Sequence, residues 1–382
     1  MQLFECESCG QAVHFDNIEC TRCRHRLGFL PDRLVLSALE PAGEASDASG
    51  RVIPGGWWRV AGSRDGRRYH QCRHYAVDAI CNWMVPEGDP DPFCRACRLN
   101  RTIPDLSVPR NPLLWERLES EKRRLVYGLL RLGLPVVPRK MDPNGLAFDF
   151  LADPHPDFHE GQGVITGHAR GLITLNIAEA DPAVRERMRE AMAEPYRTIL
   201  GHFRHESGHY YWERLVRDGP WHAGFRDMFG DERRDYEAAL NQHYREGPPA
   251  DWQTRFVSPY ASAHPWEDWA ETWAHYLHIV DTLDTARAYG LEVAPRVGGA
   301  GLRAPVSGDP DFEPYRADSI DTLLAHWLPL TNALNSLNRS MGHAHVYPFT
   351  LTPAAIAKLA WVHAVIREAG AGGSATASDA TF

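Results

Sequence analysis

Apolar residues recur at helical intervals along most of the chain after residue 110. Within residues 113–133, leucines four or seven positions apart fall on one helical face, which predicts an amphipathic helix that Gly133 ends. Similar patterns predict helices near 182–193, 196–217, 233–246, 265–280 and 319–338. Thr352 and Pro353 suit the N-cap and first turn of a last helix, which should end near residue 368.

Strand patterns are short by comparison. Segments rich in β-branched residues occur at 164–166 and 172–177, and a glycine-containing turn joins them, so they predict a β-hairpin. Prolines within residues 102–112 predict a linker, and with it a domain boundary near residue 110. We therefore expect an α+β fold whose second part is mainly helical with a small antiparallel sheet.

The part of the chain before this boundary is distinguished by cysteine, since all eight cysteines precede residue 98. The first four are Cys6, Cys9, Cys20 and Cys23. They form two tight pairs separated by ten residues, and two such pairs can turn four thiolates toward one tetrahedral zinc ion. Unpaired or redox-active thiols are the alternative interpretation.

The second group of cysteines is less regular. It consists of Cys72, Cys81, Cys94 and Cys97. Only its last two members form a tight pair, and His70 and His74 flank the first member and could replace a cysteine. We predict a second structural zinc ion here, with buried free cysteines as the alternative.

Charge and hydropathy narrow the possible partners. Residues 1–110 contain 14 arginines, no lysine and 14 acidic residues, and the whole chain has a net charge of −9, which argues against nucleic-acid binding. No apolar run approaches the roughly 18 residues of a membrane span, and the segment "MQLFECESCG" lacks the basic and then apolar pattern expected of a signal peptide. We expect a cytoplasmic protein without a membrane partner, in which zinc rather than disulfides occupies the cysteines.

The segment "FRHESGHYYW" at 203–212 carries the most specific chemistry in the chain. His205 and His209 are four residues apart and share one helical face, and Glu206 follows the first histidine. Two such histidines can hold a zinc ion that activates water, and the glutamate can serve as general base. A helix with histidines on a solvated face is the alternative.

A third ligand must come from elsewhere in the chain. Metzincins require glycine and histidine where this chain has Trp212 and Leu215, so that class of zinc protease is excluded. Gluzincins take a glutamate from a later helix, and residues 264–278 supply Glu267 and Glu271 one turn apart. We predict Glu267 as the third ligand and Glu271 as an acceptor that orients a ligating imidazole, with the reverse assignment still open.

Several longer segments resemble one protein family. They are "CESCG", "FCRACRLNRTIPDL", "PYRTILGHFRHESGHYYW", "HPWEDWAETWAHYLH" and "LNSLNRSMG". Together they resemble the bacterial zinc-binding metallopeptidases that join a zinc-ribbon domain to a gluzincin-like domain. The position of Tyr260, seven residues before Glu267, is similar to that of a tyrosine in lethal-factor-like gluzincins, which implies a donor to the oxyanion, with His264 as the alternative donor.

The expected architecture is a zinc-ribbon region at 1–110, a zincin-like metallopeptidase domain at 111–368 and a disordered tail at 369–382. The expected function is zinc-dependent hydrolysis of amide bonds in a peptide or protein substrate, with one catalytic and one or two structural zinc ions. Two alternatives remain at this point. The chain could be a zinc-ribbon adaptor that binds a protein partner, or an amidase or deacylase acting on a small or conjugated amide.

Overall fold

The protein is described by a computed structural model that covers residues 2–46, 50, 52–152, 166–191, 198–294 and 312–377. These residues form two compact units. The first contains residues up to Arg131 and the segment Val136–Val184, and the second contains Leu132–Pro135 and the described residues from Arg185 onward. The domain boundary predicted near residue 110 lies within the first unit and stays a prediction.

The part of the first unit that contains the cysteines has two antiparallel sheets, and the cysteines lie outside their strands. β1 (Phe4–Glu5) pairs with β2 (Ala12–Val13). The larger sheet has five strands in chain order, β3 (Arg26–Leu30), β4 (Val35–Pro41), β5 (Trp57–Val60), β6 (Tyr69–Gln71) and β7 (Met84–Pro86). The short helix α1 (Arg73–Ala76) begins directly after Cys72. In the core of this part of the chain, the ring of Phe15 meets those of Phe29 and Trp83 edge to face.

A long helix and a mixed sheet complete the first unit. The helix is α2 (Asn111–Arg131). The sheet has the order β10 (Gly167–Ala169), β11 (Leu172–Asn176), β9 (Ala147–Leu151) and β8 (Asn100–Thr102). β10 and β11 are antiparallel and form the predicted hairpin, whereas β9 pairs in parallel with both of its neighbours. The hairpin is therefore confirmed, but it belongs to a mixed sheet.

The second unit is almost entirely helical. After α3 (Pro182–Ala191), its helices are α4 (Ile199–Tyr211), α5 (His222–Phe229), α6 (Tyr236–Glu246), α7 (Trp252–Arg255), α8 (Pro265–Ala288), α9 (Ile320–Ser340) and α10 (Pro353–Ala377). A π-helical turn, Trp212–Val216, continues α4. α8 is buried along most of its length and contacts α4, α5, α9 and α10, so it is the central element of this unit.

Close packing fixes α4 against α8. A Cβ added to Gly208 would lie 2.9 Å from the Cα of Ala270, so the two backbones approach at a glycine. The indole of Trp269 donates to the carbonyl oxygen of Gly208 at 2.8 Å, and that of Trp273 donates to the hydroxyl of Ser207 at 3.1 Å. These contacts set the rotation of each helix relative to the other.

The α+β fold with a sheet-rich N-terminal part and a mainly helical remainder is confirmed. The last helix, α10, continues to Ala377, beyond the end predicted near residue 368. The disorder predicted for the tail at 369–382 stays a prediction. Within α10, Gly370 lies so close to the carbonyl oxygen of Leu132 that only a residue without a Cβ fits. Three predicted segments lie partly outside the described residues. They are the first strand of the hairpin at 164–165, the helix residues at 192–197 and the end of the tail at 378–382.

None of the helices in the described part of the chain combines the length and the apolar character that a membrane crossing requires.

Candidate metal centres

Helix α4 presents the two histidines of the "FRHESGHYYW" segment. It begins at an N-cap, Thr198, whose hydroxyl accepts a hydrogen bond from the backbone N–H of Gly201 at 2.9 Å. His205 and His209 follow on the same face, one turn apart, and both are buried. Their ring centroids are 5.0 Å apart, so the two imidazoles are direct neighbours.

The N-terminus of α8 presents the carboxylates. His264 is its N-cap, with Nδ1 accepting from the backbone N–H of Trp266 at 3.1 Å and Nε2 lying 3.2 Å from the carbonyl oxygen of Arg234. Nδ1 of His264 therefore caps α8, and Nε2 has a backbone partner in another segment. Glu267 lies in the first turn of α8, where the helix dipole favours a negative charge.

Three side chains converge between α4 and α8. The ligand atoms of His205, His209 and Glu267 all lie within 4.8 Å of one another. Nε2 of His205 is 3.0 Å from Oε2 of Glu267, and Nε2 of His209 is 3.5 Å from Oε1. Nitrogen and oxygen ligands at about 2.0–2.1 Å from a tetrahedral ion are separated by roughly 3.3–3.4 Å, so the observed spacing fits a zinc ion.

The Glu267 carboxylate itself also fits a cation. Glu267 is fully buried, and among the described residues its Oε2 makes no hydrogen bond. A buried carboxylate oxygen without a hydrogen bond is costly unless a cation neutralises it. Burial raises the pKa of Glu267, but the two histidines lower it well below its usual value, so this carboxylate is ionised.

Glu271 has a different partner, although it shares a helical face with Glu267. Its Oε1 accepts from Nδ1 of His205 at 2.7 Å, and its Oε2 accepts from the hydroxyl of Ser258 at 2.6 Å. Because a carboxylate can only accept, Nδ1 carries a proton, and in the neutral form of His205 the lone pair is on Nε2. The structure therefore places Glu267 beside the Nε2 atoms and Glu271 behind the imidazole.

The carboxylate of Glu206 has a different neighbour from the carboxylates of Glu267 and Glu271. Its Oε1 lies 3.5 Å from Nε2 of His202, one turn earlier on α4, and the side chain is 6% exposed. Burial raises the pKa of Glu206, but His202, His205 and His209 lower it to a value below that of an ordinary glutamate. Glu206 is thus an ionised, shielded carboxylate next to the histidine pair and is able to accept a proton.

Tyr260 lies on a 3₁₀ turn, Tyr260–Ser262, just before α8. Its ring centroid is 5.9 Å from that of His205 and 5.8 Å from that of His243. The structure therefore places the Tyr260 ring beside that of His205. Burial and the charge of Glu267 raise the pKa of Tyr260 well above its usual value, so its hydroxyl keeps its proton.

Each cysteine group forms a compact cluster of free thiols. In the first, Sγ of Cys6 is 3.6 Å from Sγ of Cys23, and Sγ of Cys9 is 3.7 Å from Sγ of Cys20. Disulfide sulfurs would lie about 2.05 Å apart, whereas four sulfurs at 2.3 Å from a tetrahedral zinc ion lie about 3.8 Å apart. The thiol separations of the first group therefore match a zinc site.

The second cysteine group has the same geometry in a more buried setting. Sγ of Cys81 lies 3.8 Å from that of Cys94 and 3.7 Å from that of Cys97. The flanking histidines take no part in the cluster, since Nδ1 of His70 contacts the carbonyl oxygen of Gln71 and Nδ1 of His74 contacts Asp78. All four ligand positions of this group are thus cysteines.

Sequence reasoning missed the hydroxyl groups that hold the carboxylates of the histidine centre. Tyr236 donates to Oε1 of Glu267 at 2.7 Å, and Ser258 donates to Oε2 of Glu271. Tyr236 precedes Glu267 by 31 residues and lies on another helix, so no sequence periodicity connects them. Ser258 precedes α8 in an irregular segment and carries no spacing signal either.

Comparisons with known proteins agree with this arrangement. The family model described as "Putative zinc-binding metallo-peptidase" matches residues 111–365, and a zinc-ribbon domain model matches residues 3–108. Uncharacterized proteins of Mycobacterium tuberculosis and Mycobacterium bovis are 40% identical over 370 residues, which cover 96% of this chain and 96% of each relative. No solved structure matches the chain significantly. With the family model covering most of its length, the chain belongs to this zinc-binding metallopeptidase family and carries an N-terminal zinc-ribbon domain.

Proposed function

We propose that this protein is a zinc-dependent peptidase of the gluzincin type. The observation that carries the proposal is the convergence of His205, His209 and Glu267, whose ligand atoms lie within 4.8 Å of one another. Catalytic zinc sites typically have three protein ligands, often two histidines and a glutamate, and leave one position for water or substrate. Structural sites have four protein ligands.

Glu206 would be the general base and then the general acid. A zinc ion bound here would supply Lewis-acid polarisation of a carbonyl group and would lower the pKa of a water molecule to about 7. Glu206 is ionised and buried beside the histidines, so it can accept the proton of the attacking water and deliver it to the leaving amine. Glu271 would keep His205 in the tautomer whose Nε2 faces the ion.

Tyr260 would stabilise the oxyanion of the tetrahedral intermediate. Its ring lies 5.9 Å from that of His205, and its raised pKa keeps the hydroxyl protonated and able to donate. A positioned donor of this kind contributes most when the negative charge develops in the transition state. Tyr236 is the other tyrosine near the centre, but its hydroxyl already donates to Glu267.

Both cysteine groups would hold structural zinc ions, since each offers four thiols in tetrahedral spacing. All eight cysteines are free, which is the state expected in the reducing cytoplasm. We therefore assign the protein to that compartment. The ribbons also offer a surface through which a protein partner could be bound.

The decisive variant is Glu206→Gln. It keeps the size and polarity of the side chain but removes the base, so hydrolysis should fall by at least about 100-fold while the metal remains bound. Turnover is measured on a library of quenched fluorescent peptides and, in parallel, on small amides. Glu237→Gln, an exposed glutamate on α6, is the matched control and should retain full activity.

A Glu206→Gln protein with wild-type turnover would refute this mechanism. Cleavage of small amides without cleavage of any peptide would replace the peptidase assignment with an amidase.

A further inference from the structure

The two oxygens of Glu267 have different surroundings. Oε1 accepts a hydrogen bond from the hydroxyl of Tyr236 at 2.7 Å. Oε2 lies 3.0 Å from Nε2 of His205 and makes no hydrogen bond within the described part of the chain. Oε1 also lies 3.5 Å from Nε2 of His209, but it already has the Tyr236 hydroxyl as a donor, whereas Oε2 has no donor among the described residues.

We infer that Tyr236 is a positioning residue, which holds Glu267 so that only Oε2 coordinates the metal and thereby sets the affinity of the site. The inference rests on the proposed function, since it assumes that His205, His209 and Glu267 bind zinc. A carboxylate whose second oxygen is free can rotate or bind through both oxygens. The Tyr236 hydroxyl removes that freedom by keeping Oε1 in a hydrogen bond.

Glu271 is held in the same manner, which supports a common role for the two hydroxyl groups. Ser258 donates to its Oε2 at 2.6 Å, and its Oε1 is directed at Nδ1 of His205. Each carboxylate thus has one oxygen fixed by a hydroxyl and the other oxygen directed at the metal centre or its ligand. Such partners of the ligands commonly change metal affinity by 10–100-fold when they are removed.

The position of Tyr236 is itself well defined. It is the first residue of α6, whose N-cap Asp235 accepts from the backbone N–H of Ala238 at 2.9 Å. Its ring meets the rings of His264 and Trp266 edge to face, with centroids 5.2 and 6.1 Å away. Since these ring contacts do not use the hydroxyl, a phenylalanine can keep the packing and lose only the hydrogen bond.

The test is the affinity of the histidine centre for Zn²⁺ in Tyr236→Phe, measured on the full chain by competition with a chelator. We expect the dissociation constant to rise by about 10–100-fold, with the cysteine groups still loaded. Tyr244→Phe, on the same helix but 59% exposed, is the matched control and should bind Zn²⁺ like the wild type.

A second measurement reports the coordination directly. With Co²⁺ in the histidine centre, the visible absorption weakens as the coordination number rises, so Tyr236→Phe should give a weaker band if the freed Oε1 joins the ion. If Tyr236→Phe has the wild-type affinity for Zn²⁺ and an unchanged Co²⁺ spectrum, the role of Tyr236 is overturned while the proposed function stands. A wild-type chain that takes up no metal beyond its cysteine groups would overturn the proposed function, and the inference with it.

Discussion

His205 uses its two ring nitrogens for different partners. Nδ1 donates to Glu271 at 2.7 Å, and Nε2 lies 3.0 Å from Glu267. A carboxylate behind an imidazole fixes its tautomer and raises its basicity as a ligand. The single residue thus links the α8 carboxylates to the proposed metal, and its orientation depends on both of them.

The variant Tyr260→Phe tests whether the Tyr260 hydroxyl stabilises the oxyanion. The variant keeps the ring beside His205 and removes the hydroxyl, so zinc should stay bound while kcat falls by about 100-fold or more. Metal content and kcat are measured on one preparation. The change differs from Tyr236→Phe, which should weaken the binding of metal. Unchanged turnover would exclude Tyr260 from the mechanism.

Some residue roles could be predicted from the sequence and others could not. The four-residue spacing of His205 and His209 fixes their common face on any helix. Glu267 and Glu271 share a face too, so spacing alone left their roles interchangeable, and only the packing of α4 on α8 separates their environments. Tyr236 reaches the site from a third helix, which no local pattern predicts.

The histidine centre depends on the packing of α4 against α8. Gly208 allows the backbones to meet, because an added Cβ would lie only 2.9 Å from Cα of Ala270. Any increase in helix separation also moves the histidines of α4 away from Glu267. Helix packing and metal geometry are therefore coupled at this glycine.

Gly208→Ala should lower the free energy of unfolding by about 1–2 kcal/mol, because overpacking outweighs the better helix propensity of alanine. The same variant should bind zinc more weakly at the histidine centre. Gly224→Ala on α5 is the control, since its Cβ would lie 3.4 Å from the nearest indole atom. The free energies of unfolding of Gly208→Ala and Gly224→Ala are compared by denaturant unfolding. Equal values would show that the close approach of α4 and α8 at Gly208 does not contribute to stability.

At the level of elements, periodicity predicted the helices well and the sheet poorly. The helices α2, α4 and α8 follow from apolar spacing, and their observed bounds lie near the predicted ones except that α8 is longer. The parallel pairing of β8 with β9 joins residues about 48 positions apart, and such long-range pairing leaves no local pattern. α10 likewise continues past the end predicted near residue 368, and Gly370 packs closely against Leu132 in that part of the helix.

In α2, charged residues are buried against the second cysteine group. Lys122 donates to Glu119 at 2.7 Å, and Oε2 of Glu119 lies 3.8 Å from Sγ of Cys97. Arg123 is buried as well, and its guanidinium donates to the carbonyl oxygen of Ile80 at 2.7 Å. A zinc ion with four thiolates has a net charge of −2, which these cations can partly offset. The helix that opens the metallopeptidase region thus belongs structurally with the ribbons.

Across the whole molecule, the described residues contain three groups able to hold a metal ion. Two are four-cysteine clusters with tetrahedral sulfur spacing, and the third is the His205, His209 and Glu267 group. The relatives match over 96% of their length, so the ribbons and the metallopeptidase region occur together in them. We therefore propose two zinc ions with a structural role and one with a catalytic role.

Metal content per chain tests this central claim most directly. Elemental mass spectrometry is applied to the wild type and to the double variant His205→Ala/His209→Ala, with His326→Ala/His343→Ala, outside the three groups, as the control. We predict about three zinc ions in the wild type and control and about two in the first double variant, with the fold retained in all three proteins. Two zinc ions in all of them would contradict a metal on α4 and, with it, the proposed catalytic centre.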